Sequence, residues 1–127
     1  PMVPIMVNTY YPPNQPTPKR CYAFGKAVRQ AIDNWKSDKR VALMASGGLS
    51  HVVIDEEIDA MVIDGLKNKK PEVLFKLPRE RLWGGTSEIL NWVALAGAME
   101  DRELKYFEYV TTYRSPAATG SRSRTAS

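Results

Sequence analysis

Apolar residues fall into two kinds of pattern along this chain of 127 residues. "MVPIMVNTY", from residue 2, and "RVALMAS", residues 40–46, are short apolar runs with β-branched residues. Each is apolar on both faces, the pattern of a strand buried on two sides. Between them Cys21, Phe24, Gly25, Val28, Ala31, Ile32 and Trp35 recur at steps of three and four. That is one stripe of a helix over about residues 18–36, with Cys21 and Trp35 in the core. The stretch "YPPNQPTP" separates the first strand from this helix, because its prolines lack amide donors and fix φ.

Strand, helix, strand predicts a βαβ unit in an α/β fold with a largely parallel or mixed sheet flanked by helices. A second helix follows over "DEEIDAMVIDGLKNKK". Asp55, Glu56 and Glu57 at its start and lysines at its end suit the helix dipole. Ile58, Met61, Val62 and Leu66 form its buried side. Pro71 stops it, and "PEVLFKLPRERLWGG" reads as short helical turns. "TSEILNWVALAGAME" is a third, more apolar and central helix, with Trp92 in the core and Thr86 or Ser87 as its cap. "LKYFEYVTTYRS" alternates as a last strand. Residues 1–114 thus form the folded part, and residues 115–127, rich in Ala, Thr, Gly, Ser and Arg, are expected to be a disordered tail.

Composition narrows the class. The apolar share of 43% and the charged share of 25% are ordinary for a globular domain. No stretch approaches the roughly 18 apolar residues of a membrane helix, and the start lacks the pattern of a signal peptide. A single cysteine rules out an internal disulfide or a thiolate metal cage and fits a reducing, cytoplasmic setting. Of the net charge of +4, Arg122 and Arg124 supply two, which leaves +2 for residues 1–114. That is too weak a charge for a nucleic-acid surface.

The candidate chemistry sits in "SGGLSH", which holds the only histidine, His51. Loops at the carboxyl ends of parallel strands are where sites gather in open α/β folds. Gly47 and Gly48 there let backbone approach a ligand closely. From the residues alone His51 stands evenly between an acid/base and a loop histidine bonded to a neighbour. Asn8, Tyr10 and Tyr11, at the end of the first strand, either line a pocket or pack on the prolines. Arg79 and Arg81 suit a solvated charged turn better than a substrate carboxylate. Asp55, Glu56 and Glu57 suit a helix N-terminus better than a metal cluster. Glu88 alone reads as a first-turn carboxylate.

"SGGLSH", with "NTYYPPNQPTPKRCYAFGKAV" before it and "GGTSEILNWVALAGA" after it, resembles the C-terminal half of class III extradiol ring-cleavage dioxygenases. The likeness is greatest to the protocatechuate 4,5-dioxygenase β-subunit type, and it spans residues 1 to about 119. It implies that His51 is the acid/base beside a non-haem Fe(II) and that Glu88 is an iron ligand. It also implies a catechol-type aromatic acid and O2 as substrates, for which the strand-end residues Asn8, Tyr10, Gly47 and Gly48 are the candidate binding residues. A facial triad needs two histidines and a carboxylate. The family draws its histidine ligands from the N-terminal half, so both are expected from residues absent in this chain. The first strand lacks neighbours, and "SRSRTAS" departs from the family's ending. A truncated product would explain both, as would a short subunit completed by a second polypeptide or a second copy. The alternative is a non-catalytic binding or structural subunit of the same fold.

Overall fold

The computed structural model describes residues 1–117 and 119–126. Among them are four α-helices: α1 (Pro18–Asp33), α2 (Glu56–Lys67), α3 (Pro71–Phe75) and α4 (Ile89–Ala98). The three strands are β1 (His51–Val53), β2 (Phe107–Tyr113) and β3 (Thr119–Ala126). Short 3-10 segments, Arg79–Arg81 and Gly84–Glu88, lie between α3 and α4.

The helices start where local chemistry allows. The Thr17 hydroxyl accepts the Arg20 amide, and Pro18 occupies a first-turn position whose amide would be unpaired anyway. Asp55 is the N-cap of α2 rather than part of its first turn, and accepts the Ile58 amide. Neither Thr86 nor Ser87 caps α4. Glu88 holds the cap position with no side-chain bond, and the 3-10 segment Gly84–Glu88 leads into the helix. The two hydroxyls have other partners within the site.

The core forms where the apolar stripes meet. Ile58 and Val62 from α2, Leu74 from α3 and Ile89 and Val93 from α4 are essentially inaccessible, with Leu49 beside them. Each such side chain contributes roughly 1.5–3 kcal/mol of burial. The central, apolar α4 packs along α1. A Cβ at Gly25 would overlap the Ala94 carbonyl, and one at Gly97 the Tyr22 carbonyl, so the two helix backbones touch. Cys21 is buried as expected, and burial pushes its thiol up to about 11. Trp35 is not in the core: α1 ends at Asp33, the chain leaves the helical period, and the indole is 54% exposed. Phe24 and Ala31 also face outward.

The chain is mixed α/β, with a three-stranded antiparallel sheet in the order β1-β3-β2. β3 pairs with both neighbours: His51 lies opposite Ser121, and Tyr113 opposite Gly120. β2 is the last strand expected from the alternation. Residues 119–126, expected in a disordered tail, instead form β3. Ladder bonds on both edges hold a strand that has little apolar surface of its own. Residues 118 and 127 of that tail lie outside the described residues. The two early apolar runs are not paired as strands, so the parallel ladder expected between them is not formed here. Met2, Val3, Met6 and Met44 are all more than 80% exposed. A strand needs a neighbour for its amides, and no described segment forms a ladder with these runs.

Candidate functional site

His51 opens β1, directly after the Gly47–Ser50 turn. Its Nδ1 lies 2.7 Å from the Leu49 carbonyl oxygen. A carbonyl can only accept, so the contact is a hydrogen bond when Nδ1 carries the proton, and in the neutral ring that leaves the lone pair on Nε2. Nε2 points towards Glu88, with Oε2 3.7 Å away. That is too long for a hydrogen bond, yet it leaves both atoms within reach of one bound group. The His51 side chain is 25% exposed and that of Glu88 42%, so the pair faces open solvent.

Several bonds bring these distant segments together. The His51 amide donates to Thr86 Oγ1 at 3.0 Å, tying β1 to the 3-10 segment that ends at Glu88. Ser87 Oγ donates to the Gly84 carbonyl at 2.7 Å and lies 3.2 Å from Thr9 Oγ1. Asn91 and Trp92, one turn into α4, donate to the carbonyls of Ser46 and Gly47. The glycines leave the necessary room. Gly47 has φ +109°, and a Cβ there would strike the Glu88 side chain. A Cβ at Gly85 would sit 2.7 Å from that of His51. Val52, next to His51, holds φ +67°, a costly conformation for a β-branched residue.

Behind the histidine lies a buried polar network. Asp59 on α2 is fully buried and accepts the Ser50 amide, the Ser50 hydroxyl and the Tyr109 hydroxyl, each at 2.8 Å. Ser50 Oγ accepts the Asp55 amide in turn. Sequence reasoning singled out neither Asp59, Ser50 nor Gly85, and took Thr86 only as a helix cap. One signal was present: Asp59 falls between Ile58 and Val62 on the buried stripe of α2, where an acid must find partners.

The other expected site residues are placed as follows. Asn8 and Tyr10 flank Thr9, the residue that meets Ser87. Asn8 closes its own loop, accepting the Tyr11 amide and donating to the Tyr11 carbonyl. Tyr10 is half exposed and its ring stacks at a tilt on Tyr11. Gly48 sits partly buried between Gly47 and Leu49, and of the Gly47-Gly48 pair only Gly47 takes positive φ. Arg81 is held by Asp55 and Glu57. The Arg81 hydrogen bond keeps the Asp55 carboxyl below the usual carboxylate range. Arg79 approaches the Gln15 carbonyl. Both arginines thus belong to a charged surface turn.

A cavity of about 410 Å³ lies elsewhere, between the ends of α2 and α4, lined by Tyr22, Leu66, Leu74, Trp92, Leu95 and Met99 among others. It includes neither His51 nor Glu88. Among the described residues no three His, Cys, Asp or Glu side chains gather as a metal cage. Glu88 offers carboxylate oxygen donors beside the His51 imidazole, which has the Leu49 carbonyl at its Nδ1.

Residues 1–122 match the family described as the catalytic LigB subunit of aromatic ring-opening dioxygenase. The chain belongs to the LigB family. It is also 31% identical over 129 residues to gallate dioxygenase of Pseudomonas putida, covering 94% of this chain and 37% of that protein. The chain therefore spans little more than a third of the length of that relative. No solved structure matches it. In this LigB-family chain the "GGLSH" and "SEILNW" segments, far apart in sequence, meet at the His51–Glu88 pair.

Proposed function

We propose that this chain is the part of an Fe(II)-dependent extradiol ring-cleaving dioxygenase that carries its acid/base, His51, and one iron ligand, Glu88. The substrates are a catechol-type aromatic acid and O2. The 3.7 Å approach of His51 Nε2 to Glu88 Oε2 carries the reading, because it sets a proton acceptor beside a metal donor. A carboxylate is a suitable hard ligand for Fe(II) in a triad with two histidines. With His51 as the acid/base, both histidine ligands come from residues outside this chain. When bound, Fe(II) supplies the Lewis acidity and redox chemistry that ring cleavage with O2 requires.

The chain's own residues handle the proton. His51 Nε2 takes it from a substrate hydroxyl, and the Leu49 carbonyl, already bonded to Nδ1–H, stabilises the imidazolium that forms. The same nitrogen then returns the proton to the ring-opened product. Gly47 and Gly48 present backbone to the substrate, and Asn8 and Tyr10 stand on its other side. The exposed apolar runs around Met2–Met6 and Val41–Met44 favour association, either with a second copy or with a second polypeptide. In this reading they are strands of a larger, parallel sheet of which the chain is the C-terminal half. A cytoplasmic setting completes the proposal.

The test compares two variants in the completed enzyme. His51→Phe should keep its iron and lose turnover by about 10²–10⁴-fold, the usual range for general acid–base catalysis. Glu88→Ala should lose iron along with activity. Iron loss from the His51 variant with retention in the Glu88 variant would reverse the two roles, and unchanged turnover in both would refute the proposal.

A further inference from the structure

Leu49 C=O and Ser50 N–H belong to one peptide unit. In a trans peptide these groups point in opposite directions. The N–H donates to Asp59 Oδ1 at 2.8 Å, and the carbonyl lies 2.7 Å from His51 Nδ1. Asp59 and the imidazole thus sit at the two ends of a single peptide plane. A carboxylate on the N–H side fixes the plane's orientation and adds electron density to its oxygen, strengthening the bond that oxygen accepts. Asp59 is itself fixed, buried on α2 with the hydroxyls of Ser50 and Tyr109 on Oδ2.

We propose that Asp59 is the positioning residue of His51, acting through the Leu49–Ser50 peptide to hold the proton on Nδ1 and the lone pair on Nε2. The carboxylate does not touch the imidazole. It performs through a backbone amide the orienting task that a carboxylate beside a catalytic histidine performs directly. The inference rests on the reading of His51 as the acid/base, since that role gives the free Nε2 its purpose. Thr86 accepts the His51 amide and touches the backbone alone, which leaves the ring's tautomer to the Leu49 carbonyl.

The chain's only histidine makes the test direct, because untagged, ¹⁵N-labelled protein gives one pair of ring-nitrogen resonances. Ring ¹⁵N shifts at mildly alkaline pH report the tautomer without iron or substrate. In the unsubstituted chain the Nδ1–H form should dominate, against the preference of free imidazole. Asp59→Asn keeps the shape of the side chain and removes its charge. It should lower the Nδ1–H to Nε2–H ratio by about fivefold, the loss expected for one weakened hydrogen bond. Tyr109→Phe removes a bond to the same carboxylate without touching Ser50, and should leave the ratio unchanged. A dominant Nε2–H form in the unsubstituted chain overturns the proposal, even if Asp59→Asn fails to fold. So does an unchanged ratio in a folded Asp59→Asn, or an equal fall in Tyr109→Phe. The tautomer is read apart from turnover, so a catalytic failure of His51 and a failure of the Asp59 relay remain distinguishable.

Discussion

Trp92 on α4 donates its indole N–H to the Gly47 carbonyl across 2.8 Å. This bond joins the helix that follows Glu88 to the turn that precedes His51. Gly47 has no room for a side chain against Glu88, so its backbone serves as the anchor. Trp92→Phe keeps an aromatic ring in the core but removes the donor. It should destabilise the chain by about 1–2 kcal/mol, combining the lost bond and the smaller ring. Urea unfolding followed by circular dichroism measures the loss. A shift near zero would show that the anchor is unimportant to stability.

Iron binding by this chain alone should be weak. Glu88 is one carboxylate, and among the described residues no third metal-ligating side chain joins Glu88 and His51. Fe(II) held by fewer than three protein donors dissociates readily. Anaerobic titration calorimetry should show no stoichiometric site of micromolar affinity. Such a site on the isolated chain would mean that the ligand set is already complete here.

Val52 offers a test of backbone strain beside the catalytic candidate. Its φ of +67° suits asparagine better than a β-branched residue, and its side chain is largely exposed, so little burial is lost on replacement. Val52→Asn should therefore stabilise the chain, by about 1 kcal/mol. The urea midpoint should rise with an unchanged slope. A lower midpoint would show that the left-handed conformation is not the native one.

The Arg81–Asp55 pair predicts a pH dependence. Asp55 has its folded pKa depressed, first by the Arg81 hydrogen bond. A depressed carboxyl stabilises the fold above its unfolded pKa of about 3.9, and that stability is lost as pH falls through the lower folded value. Arg81→Gln should then cost stability at neutral pH, by a small amount because the pair is solvent-screened. The gap to the unsubstituted chain should close below about pH 4 as Asp55 protonates in both. Thermal melts across this range would show it, and a gap that stays constant into acid would assign the cost to lost packing of Arg81.

Much of this protein is set by local pattern. The stripe of Cys21, Gly25, Val28 and Ile32, the caps at Thr17 and Asp55, and the alternation through Phe107–Tyr113 each follow from spacing and side-chain chemistry within a few residues. His51 and Glu88 were legible as candidates too, through the "GGLSH" and "SEILNW" segments. Their meeting was not legible, because a 3.7 Å approach between residues 37 positions apart depends on how α4 is docked rather than on either segment. Tertiary structure also decided what pattern misjudged. Trp35 fell outside the core once α1 ended two residues earlier, and the polar run after Pro116 became a strand because β1 and β2 offered it backbone partners. The apolar runs at residues 2–10 and 40–46 show the converse. Hydrophobicity marks a segment as fit for a sheet, but a strand exists only where another chain segment supplies its hydrogen bonds. Asp59 belongs to the same lesson: its place on the buried stripe was written in the sequence, while its reach through one peptide plane to His51 needed the fold.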